Sequence, residues 1–185
     1  MVSQTWSEVH RVNECVRAGL KAKGLLGALD TPVQALDKID LTNAQKRDER
    51  FHPDDSVVVF HMRFRKVAAG TTARFLAATE SGVLLEVSER SVVIPNRFLD
   101  CIGVFRGVEL ALTTGDRLHL KANRRLLDGT RVMNGELVTV RAVRSDGAIE
   151  LEDGRVLDGN YRDFVPGYAV TSYGSQGKDS ASYYG

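Results

Sequence analysis

The sequence predicts a mainly β fold with one helix near its N-terminus and one or two small β-barrels. Three observations lead to this prediction. One stretch near the N-terminus has apolar residues at helical spacing, while short alternating apolar segments occupy most of the chain after it. Between those segments stand turn dipeptides, at the spacing of about 8–12 residues that is typical of small all-β domains.

The helix is predicted over residues 5–23. Its apolar stripe consists of Val9, Val12, Val16 and Leu20. Thr5 and Glu8 have the spacing of a capping box, in which each side chain satisfies a backbone donor of the other residue. Gly24 is suited to ending the helix. Because a helix with one apolar stripe must bury it, we expect this helix to pack on the barrels or on a second copy of the chain.

The segment after the helix gives mixed signals, and we interpret residues 28–52 as a connector with a helical turn at 40–48. The chain then changes to an alternating pattern. Short strands are predicted at 56–62, 74–78, 83–87, 91–94, 117–121, 136–143, 148–151 and 155–157. Several turns between them carry dipeptides that tolerate a positive φ, namely Asp128-Gly129, Asn134-Gly135, Asp146-Gly147 and Asp153-Gly154.

A short internal repeat favours two barrels, although a single barrel stays open as the alternative. The pattern Asp55-x-Val57-x-Val59 recurs 61 residues later as Asp116-x-Leu118-x-Leu120. The pair Ser81-Gly82 recurs 65 residues later as Asp146-Gly147. The difference between the two offsets predicts a four-residue insertion in the second copy.

Composition limits the classes of function. The chain has 185 residues, with 25 Lys and Arg against 24 Asp and Glu, so its net charge of +1 argues against a protein that coats nucleic acid with its whole surface. Cys15 and Cys101 are too few for a disulfide framework, no secretory signal is recognised, and no apolar run has the roughly 20 residues needed to span a bilayer. We therefore expect a cytoplasmic protein without a membrane partner.

The sequence predicts neither a metal site nor a nucleotide site. The four histidines are scattered, without the spacing of zinc ligands. The segment 174–180 resembles a phosphate-binding loop, but Walker A requires a glycine six residues before its lysine, where this chain has Ser172. Asp179 also stands where the motif needs Ser or Thr. We accordingly expect no cofactor.

Basic clusters are the most informative feature of the residues themselves. Residues 56–79 contain Arg63, Arg65, Lys66 and Arg74 and no acidic residue. Residues 115–145 contain seven basic residues against three acidic ones, a net charge of +4. Such clusters can bind a phosphate backbone, whereas the alternative is a solvated loop surface; the scarcity of aromatic residues gives little support for base stacking.

The last third of the chain carries more specific motifs. They are Gly115-Asp116-Arg117-Leu118, Asn134-Gly135-Glu136-Leu137-Val138, Asp153-Gly154-Arg155-Val156 and Tyr168-Ala169-Val170-Thr171-Ser172-Tyr173-Gly174-Ser175-Gln176-Gly177-Lys178. Their order and spacing resemble the C-terminal motor region of RecD-like superfamily 1 helicases, and most closely the helicase half of conjugative relaxases of the TrwC-like (MobF) class. In that region an SH3-like barrel, called 2B, is inserted into the second RecA-like domain, called 2A.

This resemblance implies an organisation for the whole chain. Residues 1–27 would be a helix and strand from the RecA-like domain, 28–52 a connector, and 53–110 a first small barrel. Residues 111–166 would be the SH3-like 2B barrel, and 167–185 the returning strand with its Ser-Gln-Gly motif and tail. The fold class implied is thus one or two SH3-like barrels with incomplete RecA-like elements at the ends.

The resemblance also implies a function, that of a DNA-binding accessory part of a helicase. We expect Lys121, Arg124, Arg125 and Arg131 to contact the phosphates of single-stranded DNA. Carried over from the family motif, Thr171, Ser175 and Gln176 would contact the strand, and Gly177 and Lys178 would couple that contact to a nucleotide site, although Tyr173 stands where histidine is usual. ATP and magnesium would act only in a complete helicase. The alternative is an SH3-like protein-interaction module that docks on the remaining helicase or relaxase domains.

Overall fold

The computed structural model of the chain describes the backbone of residues 2–3 and 6–171 and the side chains of residues 8–169. The chain divides into two compact units. We call Gln34–Glu109 the inserted unit, and Met1–Val33 together with Leu110–Gly185 the terminal unit. Strands dominate the described residues, so the prediction of a mainly β fold is confirmed.

The inserted unit contains one sheet, in the order β2-β7-β3-β4-β5-β6. Its strands are β2 (Thr31–Ile39), β3 (Ser56–Phe60), β4 (Thr72–Thr79), β5 (Gly82–Val87), β6 (Arg90–Pro95) and β7 (Ile102–Leu112). From β7 to β6 every neighbouring pair is antiparallel. In sequence, β2 and β7 each continue from this unit into the terminal unit.

An apolar core stabilises the inserted unit. It comprises Val58, Phe60, Phe64, Ala73, Val83, Leu85, Val87, Ile94, Leu99, Ile102 and Val104. Leu85 and Ile94 are fully inaccessible, as the alternating pattern of β5 and β6 requires when one face of a sheet is covered. Short 3-10 helices occupy parts of the connections at Gln45–Arg47, Glu49–Phe51 and Asn96–Cys101.

The terminal unit contains a second sheet, in the order β13-β12-β11-β8-β14. Its strands are β8 (Arg117–Leu120), β11 (Leu137–Val143), β12 (Ile149–Leu151), β13 (Val156–Leu157) and β14 (Phe164–Pro166). The chain forms an antiparallel ribbon of β9 (Arg124–Arg125) and β10 (Arg131–Val132) between β8 and β11. Leu118, Leu120, Val140 and Phe164 are fully buried beneath the sheet.

The two ends of the described chain meet in the terminal unit. Strand β1 (Val2–Ser3) pairs in parallel with β15 (Val170–Thr171), and helix α1 (Trp6–Ala22) follows β1. Val9 of α1 is buried, and Asn13 and Arg17 of the same helix bond to the segment before β15 and to the turn before β8. The predicted helix is therefore present, and it lies against the β1–β15 pair and bonds to the turn before β8.

Most predicted strands are present within two residues of their predicted bounds, and all four predicted turn glycines have φ between 82° and 88°. The prediction of a connector over 28–52 is wrong for its first part, because β2 lies there. Apolar residues in β2 fall at Val33, Ala35 and Leu36, and this uneven spacing fits neither a strand nor a helix period. The helical turn predicted at 40–48 is present as Gln45–Arg47.

Apart from the additional edge strand β2, the two sheets share one strand order. The order is β7-β3-β4-β5-β6 in the inserted unit and β14-β8-β11-β12-β13 in the terminal unit. In each sheet the fifth of these strands along the chain lies beside the first, and the second, third and fourth follow in sequence. The repeated sequence patterns fall at equivalent places, since Val57 and Leu118 lie in the first strands. Gly82 and Gly147 lie at the turn between the second and third strands. The internal repeat thus reflects two copies of one meander.

Candidate nucleic-acid interface

The β9–β10 ribbon brings together three of the basic residues predicted to contact DNA. Arg125 lies directly opposite Arg131, and Arg124 lies opposite Val132. The Leu126 amide donates to the Thr130 carbonyl at 2.9 Å and the Gly129 amide donates to the Leu126 carbonyl at 3.0 Å. With Gly129 at φ 86°, this is the three-residue hairpin loop that ends on a left-handed glycine.

The side chain of Asp128 fixes the conformation of that loop. Its Oδ1 accepts hydrogen bonds from the Thr130 amide at 2.8 Å and from the Thr130 hydroxyl at 2.6 Å. These bonds lower the pKa of the Asp128 carboxyl below its ordinary value. The ribbon is therefore held in one conformation by its own backbone and side-chain bonds.

The two faces of the ribbon have different environments. On the inner face Val132 is 1% exposed, and the Arg124 guanidinium lies 5.2 Å from the centre of the Tyr161 ring and 3.9 Å from the Asp163 carboxylate. On the outer face Arg125 and Arg131 are both exposed. Arg124 is thus engaged in packing, whereas Arg125 and Arg131 are presented to solvent.

The outer face concentrates positive charge. Among the side chains of residues 8–169, neither Arg125 nor Arg131 has an ion-pair partner. Like charges directly opposite each other on paired strands destabilise the pair. An anion bound to both guanidinium groups would remove that repulsion, which makes the pair a suitable phosphate site.

Arg155 belongs to one of the motifs that carry the resemblance but was not predicted as a site residue, and it fixes the base of the ribbon. Its Nη1 donates to the Arg131 carbonyl at 2.8 Å, its Nη2 bonds to the Glu136 carboxylate, and its Nε donates to Asp153 at 2.9 Å. Glu136 in turn accepts a bond from the Met133 amide at 3.0 Å. The Arg155 guanidinium lowers the pKa of both carboxyls, and their bonds raise the pKa of Arg155.

Lys121 and two apolar residues lie in the same connection between β8 and β11 as the arginine pair. Lys121 directly follows β8, its amide donates to the Asp163 carbonyl at 2.7 Å, and its side chain is exposed. Leu127 at the loop tip is 91% exposed, and Met133 just beyond β10 is 65% exposed. The connection that forms the ribbon therefore carries both exposed cations and exposed apolar side chains.

The residues carried over from the helicase motif lie mostly beyond the described structure. Thr171 is the last residue of β15, where its backbone pairs with Ser3. Ser175, Gln176, Gly177 and Lys178 lie outside the described residues, as does the segment that resembles a phosphate-binding loop. The geometry of the Ser-Gln-Gly motif is accordingly no part of the site described.

Buried polar residues fix the strand that leads to that motif. Asn13 of α1 is 4% exposed; its Oδ1 accepts bonds from the Tyr168 amide at 2.9 Å and the Ala169 amide at 2.8 Å. The Asn13 Nδ2 donates to the Ala169 carbonyl at 3.4 Å. One side chain thus satisfies three backbone groups, which sets the position of β15 along α1.

Asp116 is a buried carboxylate that bonds to three other residues of the terminal unit. It accepts two bonds from Arg17, at 2.8 and 2.9 Å, one from the Tyr168 hydroxyl at 2.6 Å and one from the Thr113 amide at 2.7 Å. Arg17 also bonds to Asp30 at 2.7 Å. The Asp116 carboxylate raises the pKa of Arg17, and burial, followed by the bond to Asp116, raises the pKa of the Tyr168 hydroxyl.

Comparison with known proteins adds no family assignment. No family model matches the chain, and no curated protein matches it. In the part of the chain that the structure describes, no helix has the length and apolar character that crossing a membrane requires. Within the same residues, no three His, Cys, Asp or Glu side chains are grouped as metal ligands would be.

Proposed function

We propose that the chain is a DNA-binding accessory part of a RecD-like helicase or conjugative relaxase, which acts in the cytoplasm and contacts the backbone of single-stranded DNA. The observation that carries this proposal is the exposed pair Arg125 and Arg131 on a ribbon whose loop and base are both fixed. A site fixed before binding loses little conformational entropy when it binds phosphates.

Two features of the backbone support the helicase context. The parallel pairing of β1 with β15, with α1 following β1, is what two strands and a helix of a RecA-like parallel sheet would form. The terminal unit has a five-stranded antiparallel meander whose last strand, β14, returns beside its first, β8, as an SH3-like 2B barrel requires. Both features agree with the order of motifs from which the resemblance was drawn.

Fluorescence anisotropy with a labelled single strand tests the proposal. Each phosphate contact to a single strand contributes about 0.7 to the slope of log K against log salt. We expect the double variant Arg125→Ala/Arg131→Ala to bind at least tenfold more weakly at low salt, and to reduce the magnitude of this slope by about 1.4. The matched control is Arg141→Ala/Arg162→Ala, which removes two exposed arginines of the same unit.

The affinities of the ribbon variant and of its control together show whether the proposal holds. Loss of affinity in the ribbon variant and near wild-type affinity in the control support a specific phosphate site. Equal losses in both variants would indicate a general effect of net charge, and no binding by the wild-type chain at low salt would refute the proposal.

The exposed Leu127 and Met133 favour one second candidate, a protein-interaction module that docks on another helicase or relaxase domain. Apolar side chains in a patch with arginine are typical of protein interfaces. We expect such a module to retain a purified RecA-like partner domain after charge reversal at Arg125 and Arg131, and to lose it in Leu127→Ser/Met133→Ser. The reverse pattern, with DNA binding lost on charge reversal, supports the DNA proposal.

A further inference from the structure

We infer that the inserted unit carries a second phosphate-binding element, the loop of residues 61–71, which binds the backbone of single-stranded nucleic acid. This inference rests on the proposed function and extends it to a part of the chain outside the ribbon. The loop connects β3 to β4, the first and second strands of its meander. The ribbon connects β8 to β11, which are the first and second strands of the other meander.

The loop shares its charge with the ribbon as well as its place in the fold. It contains Arg63, Arg65 and Lys66 and no acidic residue. All three side chains are exposed, and within the described side chains none of them has an ion-pair partner. Met62, next to them, is 52% exposed, and Met133, which directly follows the ribbon, is 65% exposed. The same connection is therefore cationic in both copies of the repeat.

The loop is anchored rather than loosely attached. Phe64 is 5% exposed and its ring packs edge-to-face on Phe98, with ring centres 5.4 Å apart. The amides of Phe64 and Val67 each donate to the other residue's carbonyl, at 3.0 and 2.9 Å, so Arg65 and Lys66 form the two-residue tip of a tight turn. Burial of Phe64 thus places two cations at an exposed and fixed position.

Further contacts constrain the backbone and the side chains of this tip. Arg65 has φ 52°, a left-handed conformation uncommon for a residue other than glycine. The Arg63 Nε donates to the Arg65 carbonyl at 3.1 Å, and the Arg65 guanidinium carbon lies 5.4 Å from the centre of the Phe64 ring. A conformation that costs free energy and that positions cations is expected at binding sites more often than at a merely solvated loop.

The ligand class follows from the kind of groups present. Two guanidinium groups and one ammonium group offer only donors and positive charge, which suits phosphate oxygens. The tip residues Arg65 and Lys66 carry no aromatic ring on which a base could stack, so the element would contact the backbone without reading sequence. A single strand exposes its phosphates without requiring a groove-shaped surface, which agrees with the ligand of the ribbon.

The test compares two triple variants of the full chain. Arg63→Ala/Arg65→Ala/Lys66→Ala removes the loop cations, and Arg47→Ala/Arg90→Ala/Arg106→Ala removes three exposed arginines elsewhere in the same unit. Alanine and arginine both carry the Cβ that the left-handed conformation at position 65 disfavours, so the substitution adds no backbone strain. Far-ultraviolet circular dichroism is the check that both variants fold, and fluorescence anisotropy with a labelled oligothymidine measures binding.

We expect the loop variant to bind at least tenfold more weakly at low salt and to reduce the magnitude of the salt slope by about 2, against little change in the control. A loop variant indistinguishable from its control overturns the inference and leaves the proposed function intact if the ribbon variant is still impaired. Absence of binding by the wild-type chain refutes the proposed function itself. Displacement of the DNA by polyglutamate of equal charge would instead assign the loop to an acidic protein partner and overturn the nucleic-acid assignment.

Discussion

Apart from β2, the inserted and terminal units have the same strand order, but they differ in how many polar side chains they bury. Eleven apolar residues form the main buried cluster of the inserted unit. Six polar residues are buried among the described side chains; Ser56 belongs to the inserted unit, and Asn13, Thr113, Asp116, His119 and Asp163 belong to the terminal unit. The terminal unit must hold α1 and β15 in register, and directed hydrogen bonds specify a register better than apolar contact does.

A second difference lies in the connection from first to second strand. In the inserted unit it is the short loop 61–71, and in the terminal unit it is the longer segment 121–136, which forms the ribbon. The repeat offsets predict a four-residue insertion between the first strand and the glycine turn of the second copy. The connection from first to second strand lies within that interval. Extension of one basic loop therefore accounts for the ribbon, while the strand order around it is unchanged.

The largest effect that separates the two units is expected from Asp116→Asn. The substitution removes the charge that neutralises Arg17 at a site where the Asp116 side chain is 2% exposed. Breaking such a pair costs about 3 kcal/mol of unfolding free energy, at the lower end of the usual range because Arg17 is partly solvated. We expect hydrogen exchange to accelerate in α1 and in β8 to β14 and to change little in β3 to β6.

Asp30→Asn is the control for that experiment. Asp30 bonds to Arg17 and Lys21 as well, but its side chain is 34% exposed, and exposed pairs contribute about 0–1 kcal/mol. Comparable acceleration in both variants would mean that the burial of Asp116 has no special importance. Acceleration throughout both units would contradict the expectation that Asp116 stabilises the terminal unit alone.

Gly82 and Gly147 lie at the equivalent turn of the two copies, but the reason that glycine is required differs between them. A Cβ on Gly82 would lie 1.9 Å from the Ile94 carbonyl oxygen, whereas a Cβ on Gly147 would meet nothing within 4 Å. Gly147 is required instead by its φ of 82°. We expect Gly82→Ala to cost about 3 kcal/mol by overpacking and Gly147→Ala about 1–2 kcal/mol by backbone strain.

Asparagine distinguishes the two causes, since it tolerates the left-handed conformation but needs more space than alanine. Urea unfolding followed by circular dichroism should show that Gly147→Asn is more stable than Gly147→Ala. The same replacement at position 82 should be no better than alanine. Rescue by asparagine at both positions would refute the steric explanation for Gly82.

The glycine turns also show why much of the fold could be predicted from the sequence. Asp146-Gly147 and Asp153-Gly154 mark hairpins through local chemistry, so the strands beside them could be placed from their own residues. Strand β2 could not, because its apolar residues follow no single period and pairing with β7 determines its conformation.

The candidate site could be predicted in part for the same reason. The cluster of Arg124, Arg125 and Arg131 is visible as charge, but the register that turns Arg124 towards Tyr161 is set by the fold. The bonds from Arg17 to Asp116 and from Arg155 to Glu136 join residues far apart in sequence, and no local pattern identifies such partners.

The smallest expected difference between the units concerns pH, and it involves His52 of the inserted unit. The His52 ring stacks on Phe75 with ring centres 3.8 Å apart, and its Nε2 lies 2.9 Å from the Lys46 carbonyl oxygen, so Nε2 carries the proton and donates. In the described structure Nδ1 is buried without a hydrogen-bond partner. Protonation of Nδ1 would therefore bury a donor that has no acceptor.

Burial lowers the pKa of His52 in the folded chain, and the bond to the Lys46 carbonyl and the nearby Asp48 and Glu49 only partly oppose this shift. The unfolded chain, with an ordinary histidine pKa of about 6.5, then binds a proton at a higher pH than the folded chain does. The contribution of His52 to stability is accordingly complete above about pH 6.5 and is lost as the pH falls below that value. Urea unfolding at pH 7.5 and 5.5 should show this loss, and His52→Phe, which keeps an aromatic ring on Phe75 but cannot titrate, should reduce it. If the variant loses as much stability between the two pH values as the wild-type chain, His52 is not the group responsible.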